Sequence, residues 1–349
     1  MQSRPPQVMA HLPTMRPDGR LLAAAAMAIV ATAGIASAQA VPRDFGLPVS
    51  CDFGVDCFVQ QLPDMDPGPS IIDPFCGPSS YDGHDGIDIR VRSLEDVQRG
   101  VAVLAARDGR VHARRDGEED VLIRNDGDRG RIAGRECGNG IVLSHADGAE
   151  SQYCHLKRGS VLVGTGDAVA AGQKIGEIGY SGLAEFPHVH FSVRFRGRKY
   201  DPVSGRPLDA GCTGKGALSS GLFKPEAAGM LPVDLTAVLG MGLTGQPLDH
   251  DSLAVNGPLP GLSLDADATL AWGWFINLRK GDVIRGHLLA PDGAVFFEGE
   301  NAPLDRNKAT YSWYAGRRQP PSPGLWKIKM SILRDGAEVL SESRIVDVQ

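Results

Sequence analysis

Short runs in which apolar and polar residues alternate cover most of the chain after residue 84. Such runs have the period of two that is typical of β-strands, whose successive side chains point to opposite faces. Strands are predicted at Ile87 to Val91, Val101 to Ala106, Gly109 to Ala113, Ile141 to His145, Ser151 to Leu156, Lys174 to Ile178 and His188 to Phe195. Glycines separate the runs, and Asp147-Gly148 is a strong hairpin signal. The pattern predicts an all-β domain of antiparallel strands over 81–205.

A second group of strand-like runs fills residues 246–349, and residues 206–245 are expected to link the two groups. The linker is rich in Gly, Ser, Ala and Pro and shows little alternation. Trp272 and Trp274 are two residues apart and therefore share one face of a strand. We expect them in the core of an accessory immunoglobulin-like β-sandwich, because large rings supply much of the buried area of a small β domain. The alternative is a binding surface.

The first forty residues are expected to be an export signal. Arginines precede an apolar run from Leu21 to Ile35, and Ala36-Ser37-Ala38 and Ala38-Gln39-Ala40 are small-residue cleavage sites. An uncleaved anchor is the alternative, but the run is shorter than the ~20 residues that a bilayer span needs. No other stretch could span a membrane. The sequence therefore predicts a periplasmic or secreted protein with no membrane span after signal cleavage.

Six cysteines agree with an oxidising compartment. Residues 41–80, which are rich in Pro, Asp and Gly, are expected to be an irregular lead-in tied by disulfides. Six cysteines allow about 15 pairings, among which Cys51–Cys57 is favoured by close spacing and Cys137–Cys154 because the two cysteines flank one predicted hairpin. A cysteine zinc site is the competing interpretation. It is disfavoured because no two cysteines have the close spacing of structural zinc motifs.

Charge narrows the range of partners. The formal net charge is −6 and the chain has no basic stripe, which argues against nucleic-acid binding. Residues 114–136 hold six basic and seven acidic residues and few apolar ones. We expect this segment to be a solvated surface insertion. The alternative is a rim that shapes a substrate groove, because loops beside sites often do so.

Five side chains from three stretches of the chain could share one zinc site. They are His84, Asp88, His155, His188 and His190. Strand alternation places His188 and His190 on one side, and Gly83 and Gly86 would let the turn at His84 fold toward Asp88. A catalytic zinc ion needs three protein ligands and one open position, so five groups leave two to handle protons. The set predicts a hydrolase.

In their order and spacing, these residues carry a resemblance to a known family. Residues 84–193 resemble the lysostaphin and LytM-type zinc metalloendopeptidases, which cut peptidoglycan cross-bridge peptides and have a duplicated hybrid-motif fold. The matching pieces are His84-x-x-x-Asp88, Val103 to Val111, Gly138 to Val142, Tyr153-Cys154-His155-Leu156, Gly172 to Gly176 and His188-Val189-His190-Phe191. The chain departs from the pattern before the histidine pair, at Ala184 to Pro187, and at Ser192, where an acidic residue is common.

The resemblance implies a small, barrel-sandwich-hybrid-like β fold with an open groove. It implies one Zn2+ per chain, bound by His84, Asp88 and His190, and catalytic roles for His155 and His188. The implied function is hydrolysis of amide bonds in peptidoglycan stem or cross-bridge peptides, with water activated by zinc as the nucleophile.

Two other functions are alternatives to the zinc endopeptidase. One is a catalytically silent envelope regulator that activates a cell-wall amidase, and an envelope protein could in either case contact the C-terminal domain. The other is a lipoyl-carrier-like barrel modified at Lys174, which would leave the histidines without a purpose. The zinc endopeptidase accounts for more of the residues than either.

Overall fold

Ten strands between residues 58 and 200 build the first part of the fold. In the computed structural model, which describes residues 40–214, 221–232 and 234–349, they are β1 (Phe58–Gln61), β2 (Ile87–Arg90), β3 (Ala102–Leu104), β4 (Gly109–Arg115), β5 (Asn139–Ser144), β6 (Ala149–Leu156), β7 (Ala168–Val169), β8 (Lys174–Glu177), β9 (His188–Phe195) and β10 (Arg198–Tyr200). Eight of them form one sheet in the order β1-β2-β9-β6-β5-β4-β7, with β10 beside β9, while β3 pairs with β8. The pairings are antiparallel, as the alternation predicted.

The two faces of the large sheet differ where β2 meets β9. Ile87, Ile89, Val189 and Phe191 are fully buried in the main hydrophobic core. Burial of each such side chain contributes about 2 kcal/mol. The alternate residues of both strands are polar and face the other side of the sheet. A slip of one residue in the pairing would expose the apolar set, so the core fixes which side chains the polar face presents.

Seven strands from residue 237 onward form two further sheets. They are β11 (Ala237–Thr244), β12 (Thr269–Leu278), β13 (Val283–Leu289), β14 (Val295–Glu300), β15 (Lys308–Arg317), β16 (Gly324–Arg334) and β17 (Ala337–Val348), in the orders β11-β12-β15 and β14-β13-β16-β17. Phe275 of one sheet shares a buried core with Ile284, Ile328 and Met330 of the other. The region is therefore a β-sandwich, and its immunoglobulin-like identity stays a prediction.

Trp272 and Trp274 are buried, but the expected position in the core of the sandwich is wrong. Both are 1% exposed, and they pack with Leu253 and with Phe58 of β1 on the opposite face of β12. The sheet that contains β12 is therefore buried on both faces. Alternation along one strand shows that two residues share a face, but it cannot show which of two buried faces that is.

Two strands lie in segments that the sequence analysis expected to be irregular. β1 falls in the 41–80 lead-in, and β11 falls in the 206–245 linker. In β11 a Cβ added at Gly242 would lie 3.0 Å from Trp272 Nε1, so glycine makes room for the indole ring. Glycine weakens the strand pattern in the sequence for the same reason that it permits this packing.

Helices are few and short. They are α1 (Leu94–Arg99), α2 (Asp126–Arg131), α3 (Pro225–Ala228) and α4 (His250–Asn256). Among the described residues, no helix has the length and apolarity needed to cross a membrane. The predicted export signal, residues 1–40, lies outside the described part of the chain except for Ala40.

Three disulfides tie the first part of the fold. Both favoured pairs, Cys51–Cys57 and Cys137–Cys154, are present, and the third bond joins Cys76 to Cys212. The third bond spans 136 residues of sequence and encloses all five candidate site residues, whereas the first spans 6. Because a cross-link restricts the unfolded chain more when its loop is longer, the third bond should stabilise the fold most.

We expect the double variant Cys76→Ser/Cys212→Ser to lose about 5 kcal/mol in free energy of unfolding, against about 2.5 kcal/mol for Cys51→Ser/Cys57→Ser. Urea unfolding followed by tryptophan fluorescence measures both. A smaller loss for the long loop than for the short one would contradict the loop-entropy account.

Candidate metal and catalytic site

Strand register brings the candidate residues together. In the antiparallel pair of β2 and β9, Asp88 lies directly opposite His190, and Arg90 lies directly opposite His188. All four side chains are buried on the polar face of the sheet. Cys154 of β6 is the partner of His190 on the other side of β9, which brings the neighbouring His155 to the same place.

His84 reaches the strands through a turn that depends on glycine. Gly83 has a φ of 75°, a left-handed conformation that glycine adopts without strain. A Cβ added at Gly86 would lie 2.5 Å from the Phe191 carbonyl oxygen and 2.7 Å from the His190 ring. Glycine at 86 is therefore what allows the turn to approach β9, and His84 enters the site from the side of the turn.

Three atoms form the centre of the site. His84 Nε2 is 3.1 Å from both Asp88 Oδ1 and His190 Nδ1, and His190 Nδ1 is 2.9 Å from Asp88 Oδ1. Tetrahedral ligands at the usual zinc distance of about 2.0–2.1 Å are separated by about 3.3 Å. The spacing of the three atoms is close to that of ligands around one zinc ion, and no other cluster of histidines and carboxylates of this kind was found within the described residues.

Hydrogen bonds at the outer nitrogen atoms of the His84 and His190 rings determine that the inner nitrogen atoms keep a lone pair. His84 Nδ1 donates to the Leu62 carbonyl oxygen at 2.7 Å, which leaves a lone pair on Nε2. His190 Nε2 donates to Asp85 Oδ1 at 3.0 Å, which leaves a lone pair on Nδ1 of the neutral ring. Two nitrogen lone pairs and one carboxylate oxygen then face each other in a buried site. Only a cation satisfies all three, so the residues fit a zinc ion.

The pKa values of Asp88 and His190 are shifted because each side chain lies close to the other and to further polar groups of the site. Burial raises the pKa of Asp88, but His84, His188 and His190 outweigh burial and hold that pKa well below its usual range. Burial lowers the pKa of His190, but hydrogen bonds to Asp85 and Asp88 raise it overall, to about 9. When no metal is bound, a proton on His190 takes the place of the metal cation. Asp88 remains a carboxylate in that state.

His155 lies where β6 is irregular. The pairing of β5 with β6 shifts opposite Gly140, and His155 has a φ of 62°, which is uncommon for a residue with a side chain. The Cys137–Cys154 disulfide and the hydrogen bond from His155 N to the Cys137 carbonyl oxygen hold this conformation. Backbone conformations of this kind often occur at functional sites, where the surrounding structure enforces them.

His155 and His188 form a pair beside the three central atoms. Their ring centroids are 4.5 Å apart, and His188 Nε2 is 3.6 Å from Asp88 Oδ1. Each Nδ1 donates to a carbonyl oxygen at 2.8 Å, that of Ser181 for His155 and that of Phe186 for His188. Burial, the largest cause in each case, lowers both pKa values. Both rings are therefore neutral and keep a lone pair on Nε2, as a proton acceptor requires.

Asp85 is a residue of the site that the sequence did not reveal. Asp85 lies between the ligands His84 and Asp88, accepts from His190 Nε2, and forms an ion pair with Lys199 at 2.7 Å. Ser192 stands where the resemblance leads us to expect an acidic residue, and the sequence gives no sign that another acid contacts the histidine pair. Only the fold shows that the residue next to His84 can reach the outer nitrogen of His190.

A cavity of about 610 Å³ opens beside Asp88 and His188. One wall is the charged segment, which contributes Ile123, Arg124, Asn125, Asp126 and Arg129. The opposite wall comes from α4 and from Trp274 and Thr310 of the sandwich. Apart from the buried Ile123, these residues are exposed, as expected for a solvated insertion, and their place along the cavity agrees with the alternative of a groove rim. The contribution of the sandwich was not anticipated.

Chemically, the arrangement can hold a divalent cation and accept protons beside it. Three ligand atoms would leave a tetrahedral metal one free position, and the two neutral imidazoles of His155 and His188 lie beside the three ligand residues. The adjoining cavity is large enough for a peptide segment. This combination is typical of metal-assisted hydrolysis.

Comparison with known proteins places the first part of the chain in a family. Residues 82–202 match the model of Peptidase family M23. The DD-carboxypeptidase/endopeptidase Mpg of Neisseria meningitidis is 37% identical over 67 residues, which cover 19% of this chain and 15% of Mpg. The peptidoglycan DD-endopeptidase ShyA of Vibrio cholerae is 38% identical over 61 residues, which cover 18% of this chain and 14% of ShyA. The chain thus spans about one seventh of these relatives.

Among solved structures, the catalytic domain of lysostaphin from Staphylococcus simulans is 27% identical, with a TM-score of 0.25. The match covers 34% of this chain and 76% of that domain. The family match includes all five candidate residues. Residues 82–202 are a domain of peptidase family M23, as the sequence resemblance predicted.

Proposed function

We propose that this protein is a zinc-dependent endopeptidase that hydrolyses amide bonds in peptidoglycan cross-link peptides. The observation that supports it most is the triangle of His84 Nε2, Asp88 Oδ1 and His190 Nδ1, with sides of 2.9–3.1 Å and lone pairs directed inward. The name of the relative ShyA, a peptidoglycan DD-endopeptidase, supports peptidoglycan as the substrate class. An envelope substrate agrees with a periplasmic or secreted location.

In this proposal His84, Asp88 and His190 hold one zinc ion, which when bound would polarise the amide carbonyl and lower the pKa of water. The imidazole of His155 or His188 takes the proton that water loses as its oxygen attacks the carbonyl carbon. That proton then passes to the amine nitrogen as the C–N bond breaks. The second imidazole orients the reacting groups, and a protonated ring there would stabilise charge on the carbonyl oxygen.

His190→Ala should lose stoichiometric zinc and activity on purified sacculi, because two ligands rarely retain zinc in a catalytic site. A chelator should abolish wild-type activity and added zinc should restore it. Metal analysis by mass spectrometry, with cleavage products separated by chromatography, measures both.

His112→Ala is the matched control, because His112 is exposed on β4 and outside the site. It should keep one zinc ion per chain. If His190→Ala also kept one zinc ion per chain, the ligand assignment would be refuted.

His155 and His188 are proposed to transfer protons and not to bind zinc. His155→Ala and His188→Ala should each keep zinc and lose activity by about 10²–10⁴-fold, the range typical of a lost general acid or base. Zinc content and initial rates on a cross-linked peptide measure the two effects. An activity within about threefold of wild type in either variant would remove that residue from the mechanism.

We infer that Asp85 positions the imidazole of His190. Asp85→Asn should weaken zinc affinity by about 10- to 100-fold, because partners of ligating histidines contribute that much. Competition with a fluorescent chelator measures the affinity. Asp82→Asn is the control, because Asp82 is exposed two residues before His84. Equal zinc affinities of the two variants would show that Asp85 has no such role.

The alternative of a silent amidase regulator makes a different prediction. Zinc-loaded protein would then cleave no peptide bond in sacculi and would stimulate an amidase. The presence of all five site residues in one cluster favours the enzyme.

A further inference from the structure

Arg90 is a buried cation on the polar face of the sheet. Its side chain is 2% exposed and lies between the rings of Phe186 and Trp274, with its guanidinium carbon 4.9 and 5.6 Å from their centroids. It lies directly opposite His188 in the pairing of β2 with β9. Arg90 is therefore beside one of the two proposed catalytic histidines and in contact with the sandwich.

The hydrogen bonds of Arg90 leave its charge uncompensated. Its guanidinium donates to the Val91 carbonyl oxygen at 3.0 Å, to Gln60 Oε1 at 2.5 Å and to the Arg92 carbonyl oxygen at 2.9 Å. All three acceptors are neutral, and a guanidinium has five N–H donors. An arginine side chain keeps its proton in proteins, so the buried group carries a positive charge at neutral pH.

A buried arginine without a carboxylate partner is costly, because charged groups are normally buried only when they are paired. Arg90 is next to an empty volume, since it lines the same cavity of about 610 Å³ as Asp88 and His188. An anionic ligand in this cavity would supply the missing partner. Guanidinium groups bind carboxylates through two parallel hydrogen bonds, which makes a carboxylate the natural occupant.

Apart from Asp88, which is proposed to bind the zinc ion, the other charged groups along the cavity belong to exposed side chains. Arg124, Asp126 and Asp251 are exposed, and Glu185 is paired with Arg129 at 2.5 Å. Solvent and salt screen these groups, whereas the buried guanidinium is screened much less. Arg90 is therefore the cation that decides which charge the deep end of the cavity accepts.

We propose that Arg90 recognises a carboxylate of the substrate peptide in the cavity between the M23 domain and the sandwich. This inference rests on the proposed endopeptidase function and specifies its substrate. The carboxylate is either the α-carboxylate at a peptide end or a carboxylate on a side chain within the peptide. Because Trp274 and Thr310 line the same cavity, the sandwich forms part of this specificity site.

The test compares cross-linked peptides that differ only by amidation of one carboxylate at a time. Wild-type protein should cleave the free acid with a kcat/KM about 10- to 100-fold higher than the matching amide at the recognised position. The pair of peptides that shows this difference identifies a terminal or a side-chain carboxylate. Arg90→Gln should reduce the ratio to within about threefold of unity.

Gln60→Glu provides a second variant that keeps Arg90 in place. The new carboxylate would replace Gln60 Oε1, which lies 2.5 Å from the guanidinium, and would neutralise the cation from within the protein. This variant should also lose the preference for the free acid. Arg114→Gln, on an exposed residue of β4 that does not line the cavity, is the control and should keep it.

The outcomes separate this inference from the proposed function. Equal losses on acid and amide in both Arg90→Gln and Gln60→Glu would mean that Arg90 is only structural, and a wild-type ratio near unity for every pair would overturn the inference outright. If wild-type protein cleaves no peptide, the proposed function fails. Calorimetric affinities of His155→Ala protein for the same acid and amide peptides then decide carboxylate recognition without any cleavage.

Discussion

The antiparallel pairing of β2 with β9 is the constraint on which the rest of the site depends. It places Asp88 opposite His190 and Arg90 opposite His188, and it turns all four toward the same face. Their apolar neighbours Ile87, Ile89, Val189 and Phe191 hold these side chains on that face, because a slip of one residue would expose the apolar set. A hydrophobic core on one side of the sheet thus determines the geometry of a polar site on the other. That site is costly without a cation, since its acceptors face one another.

The sandwich contributes to the site, although its residues are far from the metal-site residues in the sequence. Gln60 of β1 donates to the Ala309 carbonyl oxygen, and Asn277 donates to the Gln60 carbonyl oxygen, so the two parts of the fold are joined beside the cavity. Trp272 and Trp274 bury the outer face of the sandwich sheet together with Phe58. The same contact that stabilises this junction brings Trp274 to Arg90. Packing between the two parts and the shape of the cavity are therefore coupled.

Much of this could be predicted from the sequence, and the failures have physical reasons. The alternation around Asp88 and in His188-Val189-His190 directly encodes which side chains share a face, and the hairpin at Asp147-Gly148 forms as expected between β5 and β6. Asp85 was missed because its partner is 105 residues away. The exposed charges of 114–136 resemble any solvated loop, and only tertiary structure shows that Ile123 and Asn125 line a cavity. β11 was missed because its glycines serve the packing of Trp272 rather than strand propensity.

The most direct test of the account is a crystal structure of the zinc-loaded protein with anomalous diffraction recorded on both sides of the zinc edge. We expect a single strong peak about 2.0–2.1 Å from His84 Nε2, Asp88 Oδ1 and His190 Nδ1, with His155 and His188 facing its open side. A peak bound by other residues, or no peak within bonding distance of these three atoms, would contradict the central claim.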